Sequence, residues 1–148
     1  MLMDHPSTTI LIIDNHDDDR QYWVQRLKMS SPDYVIREAS TGKAGLTICR
    51  SQRAECVISE LTLPDMSGFE VLLQLVPKPR HPEIAFIFLT RLTLSPMKHL
   101  ALNNGAQAYL VKSHSSGDEL DSAIHKALAA VAPTRKGPPF SSINHVFG

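Results

Sequence analysis

The sequence predicts an α/β fold in which five parallel strands form one sheet between two layers of helices. Three observations support this prediction. Five short apolar segments recur along the 148 residues. Their apolar character is nearly continuous rather than alternating, as expected of parallel strands covered on both faces. Helix start signals lie between them, and alternating strands and helices with right-handed crossovers place helices on both faces of the sheet.

The predicted strands are rich in β-branched or aromatic residues. They are TILII (9–13), YVI (34–36), CVI (56–58), IAFIFL (84–89) and AYLV (108–111). After the first strand, Asp17, Asp18 and Asp19 suit the first turn of a helix, where negative charge meets the positive end of the helix dipole. Trp23 and Leu27 are four residues apart and fit one face of that helix. An exposed Trp23 would instead indicate a docking surface.

The later helices also have recognisable start signals. Ser67 with Glu70, and Ser116 with Glu119, fit the capping box, in which a serine and a glutamate satisfy free amides reciprocally. Ser95 precedes a proline, which predicts a cap followed by proline at the first helical position. These signals complete the order βαβαβαβαβα.

The domain is expected to cover residues 8–131, between an N-terminal tail (1–7) and a C-terminal tail or linker (132–148). Periodicity is lost from Ala132 onward, where three prolines follow. Cys49 and Cys56 lack the spacing of zinc or redox motifs and are expected to be buried thiols.

Charge and hydropathy exclude some classes of function. Fifteen basic residues balance fifteen acidic ones, which predicts neither a nucleic acid nor a membrane as partner. No apolar run reaches the length of a membrane-spanning helix, and the first residues are too polar for a secretory signal. We therefore expect a cytoplasmic protein.

Polar side chains follow four of the predicted strands at the points where those strands end. They are Asp14 and Asn15 after strand one, Glu60 after strand three, Thr90 and Arg91 after strand four, and Lys112 after strand five. In open α/β sheets, chemistry gathers outside the carboxyl ends of the strands. Any one of these residues is most simply a solvated loop residue, but the set predicts a functional site at one edge of the sheet.

With these residues the chain resembles the receiver domain of two-component response regulators. The segments that carry the resemblance are ILIIDN (10–15), SELTLPDMSGFEVL (59–72), IFLT (87–90) and NNGAQAYLVKS (103–113). The resemblance implies a flavodoxin-like (βα)5 three-layer sandwich with sheet order 2-1-3-4-5. It also implies a signalling module of a phosphorelay rather than an enzyme.

The resemblance assigns roles residue by residue. In that family, an acidic pair after strand one helps hold magnesium, and an aspartate ending strand three accepts a phosphoryl group. Asp14 matches the first acid, Asn15 stands where the second acid would be, and Glu60 occupies the phosphoacceptor position. Lys112 matches the lysine that contacts the phosphoryl group.

The resemblance also implies a conformational switch. Thr90 matches the family's hydroxyl residue, and Tyr109 matches its aromatic switch residue. In the family, the hydroxyl residue moves toward the phosphoryl group and vacates space into which the aromatic ring turns. Both parts of the switch are present here.

The two departures from the family bear on phosphoryl transfer. The extra methylene of Glu60 moves its carboxylate by about a bond length, and misplacement of order 1 Å can cost ~10²-fold in rate. The neutral amide of Asn15 weakens magnesium binding. We expect no cofactor, and at most weak magnesium binding through Asp14 and Glu60. Lys112 is expected near Glu60, with Asn15 hydrogen-bonded across the site and a formal pocket charge of −1.

The role of Arg91 is open on sequence alone. The residue after the threonine is usually small in the family, so a guanidinium there either covers the entrance to the pocket or lies exposed over helix four.

Two hypotheses about function follow. The first is a phosphorylation-independent pseudo-receiver in which Glu60 partly mimics a phosphorylated residue and a protein partner reads the face made by helix four, strand five and helix five. The second is a working receiver that uses magnesium and accepts a phosphoryl group from a histidine kinase on another carboxylate, Asp65 or Asp14. The partner is a histidine kinase or an output domain, and the oligomeric state is open. An enzyme on this fold is disfavoured because no nucleophile–base pair is visible.

Overall fold

A computed structural model of the chain describes residues 7–93 and 95–135. Strands and helices alternate as the sequence predicts. The elements are β1 (Thr9–Ile13), α1 (Asp17–Ser30), β2 (Val35–Ala39), α2 (Gly42–Gln52), β3 (Cys56–Ser59), α3 (Gly68–Leu75), β4 (Ala85–Thr90), α4 (Ser95–Asn103), β5 (Ala108–Val111) and α5 (Gly117–Arg135). A short 3₁₀ turn, Lys112–His114, joins β5 to α5.

The five strands form one parallel sheet in the order β2-β1-β3-β4-β5. This confirms the predicted fold class. Because all five strands point the same way, their carboxyl ends meet at a single edge, where the predicted site residues end or follow β1, β3, β4 and β5.

Two apolar cores lie on opposite faces of the sheet. On one face, α1 and α5 pack against β1, β3 and β4 through residues such as Trp23, Leu27 and Ile124. On the other face, α2 and α3 supply most of the helical contacts, while α4 contributes one buried residue, Ala101. The three central strands, β1, β3 and β4, therefore bury side chains on both faces, which explains their continuous apolar runs in the sequence.

Several element ends differ from the sequence prediction, β3 and β4 by one residue. β2 runs to Ala39, three residues beyond the predicted end, because this edge strand exposes Arg37 and Glu38 and so lacks a continuous apolar run. α4 includes Ser95 itself, so Ser95 is not the residue that precedes the helix. α5 continues to Arg135, into the stretch expected to be a tail. Residues 1–6 and 136–148 of the two predicted tails lie outside the described residues.

The predicted helix caps are present to different extents. At α5 the capping box is complete: the amide of Ser116 donates to Glu119 at 2.8 Å, and the amide of Glu119 donates to the Ser116 hydroxyl at 3.0 Å. At α3 the Ser67 hydroxyl is a simple N-cap that accepts from the amide of Phe69 at 2.9 Å, and neither bond of the box with Glu70 is found among the described residues, so that part of the prediction was wrong. The three aspartates occupy the first turn of α1, as predicted.

Among residues 7–93 and 95–135, no helix has both the length and the apolar character required to cross a membrane.

Candidate functional site

The carboxyl edge of the sheet brings together four of the predicted site residues. Asp14, Glu60 and Thr90 are each at most 3% exposed, and Lys112 reaches two of them from the end of β5. Such buried ionisable groups are unusual unless they are paired. The predicted convergence of these side chains is therefore present, and all of them have partners within the described residues.

The ammonium group of Lys112 lies among three carboxylates. Its Nζ is 2.7 Å from Asp14, 2.8 Å from Asp19 and 3.0 Å from Glu60. Burial alone would lower the pKa of Lys112, but the hydrogen bonds to these carboxylates outweigh it and raise the pKa above its ordinary value. Lys112 is therefore a fixed positive charge at the centre of the site.

The Glu60 carboxylate is held by four donors. Oε2 accepts hydrogen bonds from the Thr90 hydroxyl and, at 2.6 Å, from the amide of Leu61. Oε1 faces Lys112 and accepts from the amide of Arg91 at 3.3 Å. Burial would raise the pKa of Glu60, but the hydrogen bonds from Thr90 and Lys112 outweigh it, so the pKa lies below its usual range. Glu60 is therefore ionised at neutral pH.

The backbone at Glu60 has little freedom to move. The amide of Gly68 donates to the carbonyl of Leu61 at 2.7 Å, and a Cβ added at Gly68 would lie 2.4 Å from the carbonyl oxygen of Glu60. This close approach requires glycine at the start of α3. The Ser59 hydroxyl donates to that same Glu60 carbonyl at 2.9 Å. The position of the carboxylate is thus fixed by its own backbone as well as by its donors.

A continuous set of hydrogen bonds leads from Glu60 to Tyr109. The Thr90 hydroxyl donates to Glu60 and accepts from the amide of Leu92 at 3.1 Å. The carbonyl of the same Leu92 accepts from the Tyr109 hydroxyl at 3.1 Å. Tyr109 is 7% exposed, with its ring beside Phe88. Burial, followed by the charge of Glu60, raises the pKa of Tyr109.

Asp19 belongs to the site, although the sequence placed it only in the first turn of α1. One of its oxygens accepts from both Lys112 and the Nε of Arg91, the latter at 3.0 Å. The hydrogen bond from Arg91 is the main reason that the pKa of Asp19 falls from 3.8 to about 2. With Asp19 and Arg91 added, the site holds three carboxylates and two cations, so its formal charge is −1. The sequence predicted the same charge from Asp14, Glu60 and Lys112 alone.

Arg91 matches neither of the two positions considered from the sequence, which were a cover over the pocket entrance and an exposed position over helix four. Its side chain is 57% exposed and reaches α1 rather than α4. The ion pair with Asp19 joins the loop after β4 to α1, and beneath it Asp19 also holds Lys112. Arg91 therefore lies at the rim of the site, where its ion pair with Asp19 links the loop after β4 to α1.

Comparisons with known proteins place this geometry in a family. The family model of the response regulator receiver domain matches residues 10–125. The nitrate/nitrite response regulator NarL of Escherichia coli K12 is 31% identical over 121 residues, which cover 82% of this chain and 55% of NarL. The chain belongs to the response regulator receiver domain family.

Two other proteins similar to this chain have names that differ in the function of the whole protein. A probable cyclic di-GMP phosphodiesterase of Vibrio cholerae is 33% identical over 104 residues, 70% of this chain and 23% of that protein. A solved DNA-binding response regulator of the LuxR family from Staphylococcus aureus has a TM-score of 0.73 and 26% identity, with 82% of this chain and 98% of that chain covered. The chain thus spans 55% of the length of NarL and 23% of the length of the Vibrio cholerae protein.

The receiver family implies magnesium, but the residues present do not fit it. Magnesium requires near-octahedral oxygen ligands at about 2.0–2.1 Å and keeps several waters. Here the Lys112 ammonium already lies between the carboxylates of Asp14, Asp19 and Glu60. Asn15 is exposed, and the predicted hydrogen bond from it across the site is not present among the described residues, so that prediction was wrong.

A second donor set, Asp14, His16 and Asp19, has ligand atoms within 4.8 Å of one another. The sequence analysis missed His16, whose ring Nδ1 lies 3.0 Å from Asp14. The Lys112 ammonium also contacts both aspartates of this set. Both aspartates of this set are therefore already paired within the protein.

The structure also shows the surroundings of Asp65 and Trp23, for which the sequence left alternatives. Asp65 accepts hydrogen bonds from the amides of Gly42 and Lys43 at 2.8 and 2.9 Å, which lower the pKa of Asp65. Asp65 thus caps α2, and no contact joins it to the Lys112 cluster among the described residues. Trp23 is 3% exposed and belongs to the core, which confirms the prediction that it lies with Leu27 on one face of α1.

Proposed function

We propose that this receiver signals without aspartyl phosphorylation, and that Glu60 holds the switch residues in the arrangement that phosphorylation produces in the family. The observation that carries the proposal is the hydrogen-bonded path from Glu60 through Thr90 and Leu92 to Tyr109. In the family, the hydroxyl residue moves toward the phosphoryl group and the aromatic ring turns inward. Here the hydroxyl is engaged by Glu60 and the Tyr109 ring is buried.

Glu60 can replace only part of a phosphoryl group. A phosphoryl group carries about −1.5 to −2 charges, whereas a carboxylate carries one. The contacts that a phosphoryl group would make to the threonine and the lysine are nevertheless both made by Glu60. Because Lys112 contacts all three carboxylates of the pocket and Arg91 pairs with Asp19, no added cation is needed to relieve repulsion between them.

The surface that a partner reads is the face made by α4, β5 and α5. α4 has one buried side chain, Ala101, among residues 96–103, and it exposes Leu100 and Leu102 at 47% and 39%. Leu92, which carries the hydrogen bonds between Thr90 and Tyr109, is itself 38% exposed next to this face. A change at Glu60 is therefore transmitted over a short distance to an apolar surface that suits a protein partner.

The partner is a protein: a histidine kinase or an output domain of the same pathway, met in the cytoplasm. The balanced charge of the chain does not favour a nucleic acid or an anionic membrane. On this proposal the domain is a regulatory binding module without catalytic activity of its own.

The competing function is a receiver that accepts a phosphoryl group on Asp14 or Asp65. The contacts disfavour it, since Asp14 is bound to Lys112 and Asp65 is bound to the start of α2. The test is incubation with acetyl phosphate and magnesium, followed by intact mass and peptide mapping. We expect no gain of a phosphoryl mass on any carboxylate.

A labile phosphoryl group mapped to Glu60 would contradict the proposal outright. One that maps to Asp14, and disappears in Asp14→Asn, would establish the competing function. A known phosphorylatable receiver treated in parallel confirms that the donor is active.

A further inference from the structure

Arg91 and Asp19 complete a closed ring of contacts at the site. Oε1 of Glu60 lies 3.0 Å from the Lys112 ammonium, which lies 2.8 Å from Oδ2 of Asp19. The same Asp19 oxygen accepts from the Nε of Arg91 at 3.0 Å, and the amide of Arg91 returns to Oε1 of Glu60 at 3.3 Å. The ring therefore joins the charge of Glu60 to α1 and to the loop after β4.

The loop after β4 carries two contacts of the path from Glu60 to Tyr109. The amide of Leu92 donates to the Thr90 hydroxyl, and the carbonyl of Leu92 accepts from the Tyr109 hydroxyl, both at 3.1 Å. The side chains of residues 91–93 are exposed, so the loop depends on polar contacts more than on packing against the core. Arg91 lies directly between Thr90 and Leu92, so a contact that holds Arg91 also holds its two neighbours.

The helix α1 is a firm anchor for the other end of this ion pair. Trp23 and Leu27 are buried in the core, and Asp19 lies one turn before Trp23 on the same side of the helix. The guanidinium of Arg20 donates to the carbonyl of Asp14 at 2.6 Å, which ties the start of α1 to the residue after β1. The ion pair of Arg91 and Asp19 therefore joins an exposed loop to a helix that is fixed on the sheet.

We propose that Arg91 and Asp19 are positioning residues for the switch, and that their ion pair keeps the loop after β4 in the engaged arrangement. In that arrangement the Thr90 hydroxyl contacts Glu60 and the Tyr109 ring is buried. A small residue after the threonine, which is usual in the family, could not make this ion pair. A disturbance at the start of α1 therefore reaches the face made by α4, β5 and α5 through this loop. That the engaged arrangement is the signalling one rests on the function proposed above, whereas the hold of the ion pair on the loop does not.

Hydrogen exchange of the Leu92 amide, followed by NMR, measures this hold, because the amide exchanges when its bond to Thr90 opens. Arg91→Gln removes the charge and keeps a polar side chain. We expect the protection of the Leu92 amide, corrected for the changed neighbour, to fall about 2- to 5-fold, the range for an exposed ion pair. Asp19→Asn leaves the loop sequence intact and should lower the protection at least as much, because it also weakens the contact with Lys112.

Two comparisons separate the ion pair from a general loss of structure. Arg80→Gln makes the same change at an exposed arginine in the loop before β4, and it should leave the Leu92 amide as protected as in the wild type. Adding Arg91→Gln to Asp19→Asn should lower the protection no further, because the partner is already gone. A Leu92 amide as well protected in Arg91→Gln as in the wild type would overturn the proposal. Losses that simply add in the double variant would do the same.

Glu60→Gln, measured in the same way, distinguishes this inference from the function proposed above. Lower protection of the Leu92 amide in both Glu60→Gln and Arg91→Gln supports both. If protection falls in Glu60→Gln but not in Arg91→Gln, the role of Glu60 stands and the role of the ion pair fails. If it falls in Arg91→Gln alone, the ion pair holds the loop and the role proposed for Glu60 fails.

Discussion

Replacing Lys112 with methionine removes the charge at the centre of the site and keeps most of the volume of the side chain. Asp14 and Glu60 would then lose the ammonium that lies between them, while Asp19 keeps its ion pair with Arg91, and the side chains of Asp14 and Glu60 are only 4% and 2% exposed. Breaking a buried ion pair by removing one partner costs about 3–5 kcal/mol, because the remaining charge is left uncompensated. We expect a loss of that size for Lys112→Met at neutral pH.

Such a loss is a large part of the total for an ordinary domain, whose free energy of unfolding is about 5–15 kcal/mol. The assay is equilibrium unfolding in urea, monitored through the fluorescence of Trp23. Lys98→Met makes the same chemical change at an exposed position of α4, and it should change the free energy of unfolding by less than about 0.5 kcal/mol.

A second variant separates charge from packing. Adding Asp14→Asn to Lys112→Met removes one of the repelling carboxylates, so the double variant should be more stable than Lys112→Met alone. A loss below about 1 kcal/mol for Lys112→Met, the value typical of exposed ion pairs, would refute the reasoning. So would a double variant in which the two losses simply add.

Three further predictions concern metal, pH and acceptor length. Calorimetric titration should find weak or no magnesium binding in the wild type, with a gain in Asn15→Asp; binding at the strength usual for receivers would contradict this. Because the pKa of Glu60 lies below 4.5 and that of Asp19 is about 2 instead of 3.8, the unfolded chain binds more protons in acid, and stability should fall from about pH 5 downward. The raised pKa of Lys112 contributes stability below pH 10.5 that is lost at more alkaline pH. Urea unfolding midpoints measured across pH test the acid and the alkaline prediction. Midpoints that stay constant below pH 5 would contradict the lowered pKa values of Glu60 and Asp19. Glu60→Asp alone should recover little phosphorylation by acetyl phosphate, whereas Glu60→Asp with Asn15→Asp should recover more than the sum of the two.

The fold was predictable because its signals are local and repeated. β1, β3 and β4 are buried on both faces, so their apolar runs stand out in the sequence. β2 was underestimated because an edge strand that exposes Arg37 and Glu38 has no such run. The sheet order came from the family resemblance, since apolar runs alone do not specify which strands are neighbours.

The site was predictable to the extent that its residues end strands or directly follow them. Asp14, Glu60, Thr90 and Lys112 each occupy such a position, and the parallel sheet brings them to one edge. Asp19 was missed because it lies on the helix that follows, where an aspartate in the first turn already has a sufficient local explanation. The partner Arg91 is 72 residues away in the sequence, and no local pattern identifies such a pair.

The misplacement of Asn15 has a physical cause. Residues that follow a strand leave the sheet at once, and neighbouring side chains then point in different directions. Asp14 is buried against Lys112, while Asn15, the next residue, is exposed. A position matched from a family therefore gives the chemical type of a side chain more securely than its contacts.

The central claim is that the charge of Glu60 holds Thr90 and Tyr109 in the engaged arrangement. Glu60→Gln keeps the length of the side chain and removes the charge, and its chemical shifts can be compared with those of the wild type and of Glu70→Gln, an exposed control on α3. A charge-assisted hydrogen bond is worth about 1.5–3 kcal/mol, so a partner that prefers the engaged state should lose roughly 10- to 100-fold in affinity. The account predicts shifts at Tyr109 and along α4 in Glu60→Gln alone. If those signals stay where they are in the wild type, Glu60 only fills the pocket and the claim is wrong.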